Sequence, residues 1–190
     1  MTISDNPTAL TTLADHSGTY HLDPAHTRIG FVARHAMVTK VRGGFNDFEG
    51  TLTVVGDDLT RSSAEVTIQA HSIDTRNTMR DDHLRSNDFL SMDEHPVIRF
   101  RSTSVRQTGE MSLELTGDLT IKDVTRAITV PFEFEGAATD PSGYRRLGFE
   151  GAVDISRKDY GITWNATLDT GGVLVSDKIT LEFEVSAVRA

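Results

Sequence analysis

The sequence predicts an all-β fold, an antiparallel barrel or sandwich of about eight strands interrupted by a short helical insert. Apolar and polar residues alternate with period two along most of the chain, most regularly over residues 111–121. Clusters of Gly, Asp, Asn and Pro separate the alternating segments, as at residues 139–143. The alternation fails over residues 71–100, where charged, helix-compatible residues crowd together. Alternation of this kind is typical of half-buried antiparallel strands.

The strands are predicted in order from Tyr20. An opening strand starts there and ends at Pro24, because proline cannot donate to a sheet ladder. Counting from Ile29, about eight further segments each place apolar residues on one side. Eight strands that close into a barrel leave an interior either just filled by side chains or wide enough for one ligand, and periodicity alone does not decide which. The apolar faces lie in residues 29–35, 48–54, 64–70, 98–100, 111–121, 128–134, 147–155 and 179–187.

The insert carries helix signals of its own. Thr78 with Asp81 fits a capping pair, and the carboxylates of Asp81 and Asp82 suit the positive N-terminal end of a helix over roughly residues 78–90. A second short helix is possible at residues 35–41, where the alternation falters. An insert between strands is more often a lid or binding segment than a plain connector.

Length and charge limit the domain organisation and the partners. We expect residues 19–190 to form one domain with a sizeable core. Residues 1–18 are rich in Thr, Ser, Asp, Asn and Ala without an apolar face, which predicts a flexible N-terminal arm. The formal net charge of -9 argues against nucleic acid or an anionic membrane surface as the main partner. A small neutral or lipidic partner stays open.

The absence of cysteine excludes disulfides, thiolate nucleophiles and cysteine metal sites. The N-terminal sequence has neither a basic region nor a long apolar run, so we expect no secretory signal peptide. We also expect no integral membrane segment. The sequence therefore predicts a cytoplasmic protein.

Three blocks within the insert resemble a known family. Residues 72–75 read SIDT, residues 80–89 read RDDHLRSNDF and residues 95–100 read HPVIRF. This run is similar to the central signature of the YceI-like family of polyisoprenoid-binding proteins. The resemblance covers nearly all of the folded chain and includes YHLDPAHTRIGF at residues 20–31, GDLTIKDVTR at residues 117–126 and RKDYGI at residues 157–162.

The chain departs from the family pattern in three features. Thr27 stands where the family usually has Ser, and Asp123 stands where it usually has Gly. Asp tolerates a left-handed backbone better than most residues, so we expect the turn at Asp123 to survive. Many relatives are periplasmic, whereas this sequence shows no export signal.

The resemblance implies a lipocalin-like antiparallel eight-stranded barrel that holds a long isoprenoid chain, in a protein that forms a homodimer. We therefore expect non-enzymatic binding, storage or transport of an isoprenoid lipid, either a polyprenyl phosphate or an isoprenoid quinone. The insert would cover part of the mouth, where Arg76, Arg80 or Arg85 could reach a head group. His35 and His83 would supply polar points near the cavity. The predicted ligand-binding residues are Phe31, His35, Phe45, Phe48, Arg80, His83, Leu84, Phe89, Leu90, Phe100, Phe132 and Trp164.

Other interpretations of the same residues stay open. The aromatic residues suit an ordinary core, and the arginines of the insert suit ion pairs with its aspartates. An enzyme on an apolar substrate, with His35 or His83 as general base, is the second hypothesis. A solid-core stress or interaction module is the third. The sequence has no HExxH, His-x3-His, P-loop or G-x-S-x-G motif, so we expect no metal and no cofactor.

Overall fold

The computed structural model describes residues 12–190 and consists mainly of strands. Short 3-10 helices and one α-helix connect them. The strands and the helix are β1 (Gly18–Leu22), β2 (Arg28–His35), β3 (Thr39–Phe45), β4 (Phe48–Val54), β5 (Ser63–Gln69), β6 (Ile73–Asp74), α1 (Thr78–Arg85), β7 (Val97–Gln107), β8 (Ser112–Ile121), β9 (Val124–Thr139), β10 (Arg145–Ser156) and β11 (Lys178–Arg189).

Six short strands combine in pairs into three staves, a stave being one strand position around the wall. β1 pairs with the C-terminal part of β11 and β2 pairs with its N-terminal part, so β1 and β2 continue one another. β4 and β3 follow the same line against β1 and β2. β5 and β6 follow it against β4 and β3. With the five continuous strands β7 to β11, the wall has eight staves.

The wall closes on itself with antiparallel neighbours throughout. The hydrogen-bonded order is β1-β4-β5-β7-β8-β9-β10-β11, and β11 pairs back with β1. The predicted antiparallel eight-stranded barrel is therefore confirmed. At one end β2, β3 and β6 extend the wall from β11, and the chain from β6 to β7 contains α1. We call this end the mouth and the opposite end, near Tyr20, the base.

The alternation of the sequence matches the two faces of the wall. In β8, Leu113 and Leu119 are buried and Asp118 is exposed. On the outer face the hydroxyls of Thr120 and Thr125 lie 2.8 Å apart across the β8–β9 ladder, which is a favourable cross-strand pair. The period-two alternation of the sequence therefore predicted the inner face of this strand correctly.

The α-helix is shorter than predicted and has a different N-cap. Residues 86–90, predicted as helix, form a bend and turns. The side-chain oxygen of Asn77 accepts a backbone N–H of the first turn at 2.9 Å, so the predicted capping role of Thr78 is wrong. Asp81 is buried and accepts both the backbone N–H and the hydroxyl of Thr75, at 2.9 and 2.6 Å.

Residues 35–41 form the tip of the β2–β3 hairpin, so the predicted second helix is wrong. Ala36 and Met37 have left-handed φ values of 48° and 65°. The N–H of Val38 donates to the carbonyl oxygen of His35 at 3.1 Å. This backbone is that of a type I′ turn, whose twist matches the twist of paired strands. Cross-strand pairing of β2 with β3 therefore determines the conformation of this segment.

A second left-handed turn joins β8 to β9. Lys122 and Asp123 have φ values of 51° and 60°. The turn expected at Asp123 is therefore present, and the aspartate occupies the backbone conformation that glycine adopts most easily.

The fold begins before residue 19. Leu13 is buried in the core, and His16 is only 3% exposed. Nη2 of Arg145 lies 2.6 Å from Nδ1 of His16. Leu13 and His16 thus pack at the base, within the stretch that was predicted as an arm. Residues 1–11 of that stretch lie outside the described residues, and the arm stays a prediction.

Candidate ligand-binding site

The barrel encloses an inner chamber that is lined by apolar residues and glycine alone. Its volume is about 940 Å³, including its open end. Phe45, Phe100 and Phe132 are among the lining residues, together with aliphatic side chains of most of the staves. Because the lining offers no polar side chain, the chamber suits hydrocarbon and disfavours a polar group.

Several side chains of this lining remain partly accessible although they point into the barrel. Phe100, Leu115, Leu181 and Phe183 are each only half-buried. In a filled barrel, side chains from opposite staves would cover one another at the density of a protein interior. Their remaining accessible surface therefore belongs to the empty chamber, and the interior is not filled by the protein itself.

Two glycines let phenylalanine rings lie against the wall of the chamber. A Cβ atom on Gly151 would lie 2.6 Å from the ring of Phe132, its cross-strand neighbour. A Cβ atom on Gly117 would lie 2.5 Å from the ring of Phe100. Contacts that short are not tolerated, so only glycine permits these ring positions. The rings cover the backbone of the neighbouring strand, as in aromatic rescue of glycine, and leave the centre of the barrel open.

The inner chamber continues toward the base. A space of about 520 Å³ shares Leu52, Leu115 and Phe132 with the inner chamber and is also lined by Leu13. His16 lies near this end, where burial and then the charge of Arg145 lower the pKa of its imidazole. The N-terminal segment thus contributes to closing the base.

A second, more polar space forms the mouth chamber. It measures about 1,090 Å³ including open solvent and lies between α1, the β2–β3 hairpin and the segment before β11. Arg34, His35, Arg80, His83 and Asn77 are its polar lining residues. No carboxylate is among the described residues that line it. The mouth therefore presents hydrogen-bond donors and positive charge at the entrance to an apolar interior.

Arg80 is held in the mouth by a neutral partner. Its Nε donates to the Thr75 hydroxyl at 2.7 Å and its Nη2 donates to the Thr75 carbonyl oxygen at 2.8 Å. Within residues 12–190, the ion pairs do not include Arg80, whereas Arg85 pairs with Asp82 at 3.1 Å. The alternative of an intra-insert ion pair thus holds for Arg85 but not for Arg80. The guanidinium of Arg80 is half-buried and retains hydrogen-bonding capacity.

His83 belongs to an aromatic cluster at the mouth. Its ring lies edge-on to Trp164 and Phe89, with centroid distances of 4.6 and 5.0 Å. Nε2 of His83 lies 2.8 Å from Oδ2 of Asp88. These contacts fix the orientation of the imidazole as part of the wall.

Arg157 organises the segment that carries Trp164, a role that the sequence analysis missed. Its guanidinium is 4% exposed and donates to the carbonyl oxygens of Ile162, Trp164 and Ser176, each at 2.9 Å. A longer contact of 3.3 Å reaches Val175. Burial lowers the pKa of Arg157. The signal in the sequence was an arginine inside the block RKDYGI, without any indication of its partners.

The structure brings together ten of the twelve predicted ligand-binding residues in the two chambers. Phe48 and Leu90 line neither chamber. They are 6% and 9% exposed and pack in the protein core, so their predicted place in the lining is not supported. The inner chamber contains Phe45, Phe100 and Phe132, and the mouth chamber contains Phe31, His35, Arg80, His83, Leu84, Phe89 and Trp164.

The described part of the chain offers neither a metal site nor a helix that could span a membrane. Residues 12–190 contain no group of three or more His, Asp or Glu side chains arranged to hold a metal ion. Among the same residues, no helix has the length and apolar character required to cross a membrane.

The fold and the site define a class, an antiparallel barrel with an apolar internal chamber and a polar mouth beneath a helical insert. The YceI-like domain model matches residues 20–187, and the chain therefore belongs to the YceI-like family. The UPF0312 protein SERP2314 of Staphylococcus epidermidis is 37% identical over 169 residues, which cover 88% of this chain and 95% of that protein.

Solved structures share the architecture. BcnA of Burkholderia cenocepacia matches with a TM-score of 0.77 and 23% identity, covering 87% of this chain and 98% of that chain. A polyisoprenoid binding domain from Saccharophagus degradans matches with a TM-score of 0.70 and 13% identity, covering 92% of this chain and all of that chain (100%). At these identities the likeness establishes the fold.

Proposed function

We propose that this protein binds an isoprenoid lipid without catalysing a reaction, and stores or carries it inside the barrel. The apolar inner chamber of about 940 Å³ is the observation that supports this most. Because its lining is apolar throughout, the chamber suits a hydrocarbon ligand. Each buried methylene contributes about 0.8 kcal/mol, so several isoprene units gain more than about 10 kcal/mol before ordering costs.

The comparisons support the same ligand class. The Saccharophagus degradans relative is described as a polyisoprenoid binding domain. The family model covers residues 20–187, which is nearly all of the barrel and includes the strands that line the chamber. An isoprenoid chain needs no polar partner along its length, which agrees with the composition of the inner lining.

We place the head group in the mouth chamber. Arg80 and Arg34 provide charge there, and Asn77 can donate a further hydrogen bond. Because no carboxylate among the described lining residues competes for these cations, a phosphate gains charge-assisted hydrogen bonds. A quinone oxygen could accept hydrogen bonds from the same donors, but these bonds would be weaker because the oxygen carries no charge. We therefore favour a polyprenyl phosphate over an isoprenoid quinone.

The other two hypotheses receive less support. A solid-core module has less support because the lining of the interior remains partly accessible. A general base at His83 is disfavoured, since the ring is packed against Phe89 and Trp164. The homodimer and the cytoplasmic location stay predictions.

The proposal is tested by native mass spectrometry and organic extraction of protein purified from its own host, followed by titration with a polyprenyl phosphate. We expect a co-purifying lipid or stoichiometric uptake. Phe100→Asp should abolish uptake because it places an unpaired charge in the chamber. Ala138→Asp, on the exposed face of β9, is the matched control and should bind normally. The absence of any lipid together with no uptake by the wild type contradicts the proposal.

A further inference from the structure

Exposed apolar side chains concentrate around the mouth. Among residues 12–190, five large hydrophobic side chains are exposed. Met37, Val38, Met79 and Val173 are 61%, 73%, 85% and 40% exposed, and we call these four the apolar rim. The fifth, Tyr144, is 57% exposed and lies between β9 and β10 at the base. Clustered exposed apolar side chains mark an interaction surface more often than scattered ones do.

Contacts join the rim to the mouth chamber. Met79 is itself a lining residue of that chamber. The N–H of Ala36 donates to the carbonyl oxygen of Leu174 at 2.8 Å, which ties the hairpin tip to the loop that carries Val173. The sulfur of Met37 packs directly against Gly172 of the same loop. The rim therefore surrounds the opening that leads to the apolar interior.

The hairpin tip presents its apolar residues at a conformational cost. Ala36 and Met37 both have left-handed φ values, which Asn and Gly adopt with less strain. Met37 and Val38 project into solvent from this turn although polar residues would suit exposure better. Strain of this kind often persists where a surface has a function.

The charge of the β2–β3 hairpin differs in sign from the charge of the whole chain. The hairpin, residues 33–41, contains Arg34 and Lys40 opposite one another and no carboxylate. Residues 163–176, which face it, contain Asp169 as their single charged residue. The hairpin is therefore locally positive, whereas α1 and the turn after it, residues 77–90, carry three aspartates and two arginines.

We propose that the mouth docks on the surface of an anionic lipid bilayer through the β2–β3 hairpin, whose local charge is opposite to that of the whole chain. The apolar rim would enter the head-group region while Arg34 and Lys40 lie beside lipid phosphates, an arrangement common to interfacial proteins. The suggested purpose of docking, which is ligand transfer, rests on the proposed function. A long apolar ligand could then pass between bilayer and chamber without its chain crossing water.

The test is vesicle flotation of the full chain with phosphatidylcholine alone and with about one-third phosphatidylglycerol. We expect the wild type to float with the anionic vesicles. Met37→Ser combined with Val38→Ser should reduce binding by at least about tenfold, because exposed apolar area no longer enters the bilayer. Tyr144→Ser at the base is the matched control and should bind as the wild type does.

A second pair of variants tests the charge. Arg34→Gln combined with Lys40→Gln should reduce binding to anionic vesicles about fivefold for each charge removed. Arg61→Gln combined with Arg106→Gln, which removes two exposed cations near the base, should have little effect. A higher salt concentration should weaken vesicle binding by the wild type and leave binding by the Arg34, Lys40 variant nearly unchanged.

Three results overturn the docking proposal. In the first, the wild type floats with neither kind of vesicle. In the second, the Met37, Val38 variant floats as the wild type does. The third is a rim variant that turns a solution dimer into a monomer while vesicle binding persists, which assigns the rim to a contact between copies. Uptake of dispersed polyprenyl phosphate, measured without vesicles, reports separately on the proposed function.

Discussion

The rings of Phe31 and Phe45 stand together at the junction of the two chambers, with centroids 6.0 Å apart and planes inclined by 51°. Phe31 lines the mouth chamber and Phe45 lines the inner chamber. Both rings are half-buried, so each retains surface toward empty space. We expect a ligand that extends from the mouth into the interior to lie against this pair.

Removing one ring of the pair should speed ligand exchange. Phe31→Ala widens the passage and removes apolar contact, so we expect lipid dissociation to become about tenfold faster. Stopped-flow displacement of a fluorescent isoprenoid measures the rate. Phe48→Leu, a change in the core outside both chambers, should lower stability by about 1 kcal/mol without changing the rate. Equal rates in Phe31→Ala and the wild type would show that the pair does not restrict passage.

Adding a methyl group at Gly151 should displace the ring of Phe132 from the wall. The new Cβ would meet both that ring and the carbonyl oxygen of Pro131, so we expect a loss of about 1–3 kcal/mol and a smaller lipid capacity. Denaturant unfolding and native mass spectrometry measure these effects. Gly148→Ala is the control, because its nearest contact would be an ordinary 3.5 Å. Full lipid uptake by a folded Gly151→Ala variant would contradict this account of the chamber.

Removing the Arg157 guanidinium should loosen one wall of the mouth. Arg157→Met leaves several buried carbonyl oxygens without their donor, and we expect a loss of about 3 kcal/mol or more. Hydrogen exchange should rise across residues 162–176. Lys158→Met, which removes an exposed neighbouring cation, should change stability by less than about 0.5 kcal/mol. Unchanged exchange in the Arg157 variant is the outcome that refutes this role.

Arg80 should discriminate between head groups. Arg80→Gln removes a cation from the mouth, so we expect polyprenyl phosphate affinity to fall about tenfold or more. The affinity of the corresponding polyprenol should change little, which separates a head-group effect from a structural one. Arg76→Gln, at an exposed position outside the mouth lining, is the charge-matched control. Parallel losses for phosphate and alcohol would show that Arg80 acts only on the fold.

The ion pair of Asp23 with Arg146 should make stability depend on pH in the acid range. Nη1 of Arg146 lies 2.6 Å from Oδ2 of Asp23, and its hydrogen bond, followed by that of His26, lowers the pKa of Asp23 to about 2. A pKa below that of the unfolded chain means that the contribution is complete above about pH 5 and is lost as the pH falls toward 2.

This contribution is about 2 kcal/mol, because the side chain is 17% exposed and little screened. Denaturant unfolding of the wild type between pH 6 and pH 2, compared with Asp23→Asn, should therefore show a smaller acid loss in the variant. Asp57→Asn, an exposed carboxylate, should retain the acid loss of the wild type. Identical pH profiles for the wild type and Asp23→Asn would show that this ion pair does not contribute to the pH dependence of stability.

The sequence alone determined the strands and the family. Alternation with period two depends only on neighbouring residues, so the inner face of β8 could be located from the residues of β8 themselves. Local reasoning failed at residues 35–41, where pairing across the hairpin overrides the local pattern. It also failed at residues 86–90, because the end of a helix depends on its surroundings as well as on its composition.

Tertiary structure alone decided that the barrel is hollow. Whether an interior is filled depends on the summed volumes of side chains from all eight staves and on their register, and neither is a property of one segment. Gly151 keeps the Phe132 ring against the wall only because β9 and β10 place them opposite one another. Arg157 likewise acquires its carbonyl partners only when distant segments of the chain meet. Close packing is a long-range property, whereas periodicity is local.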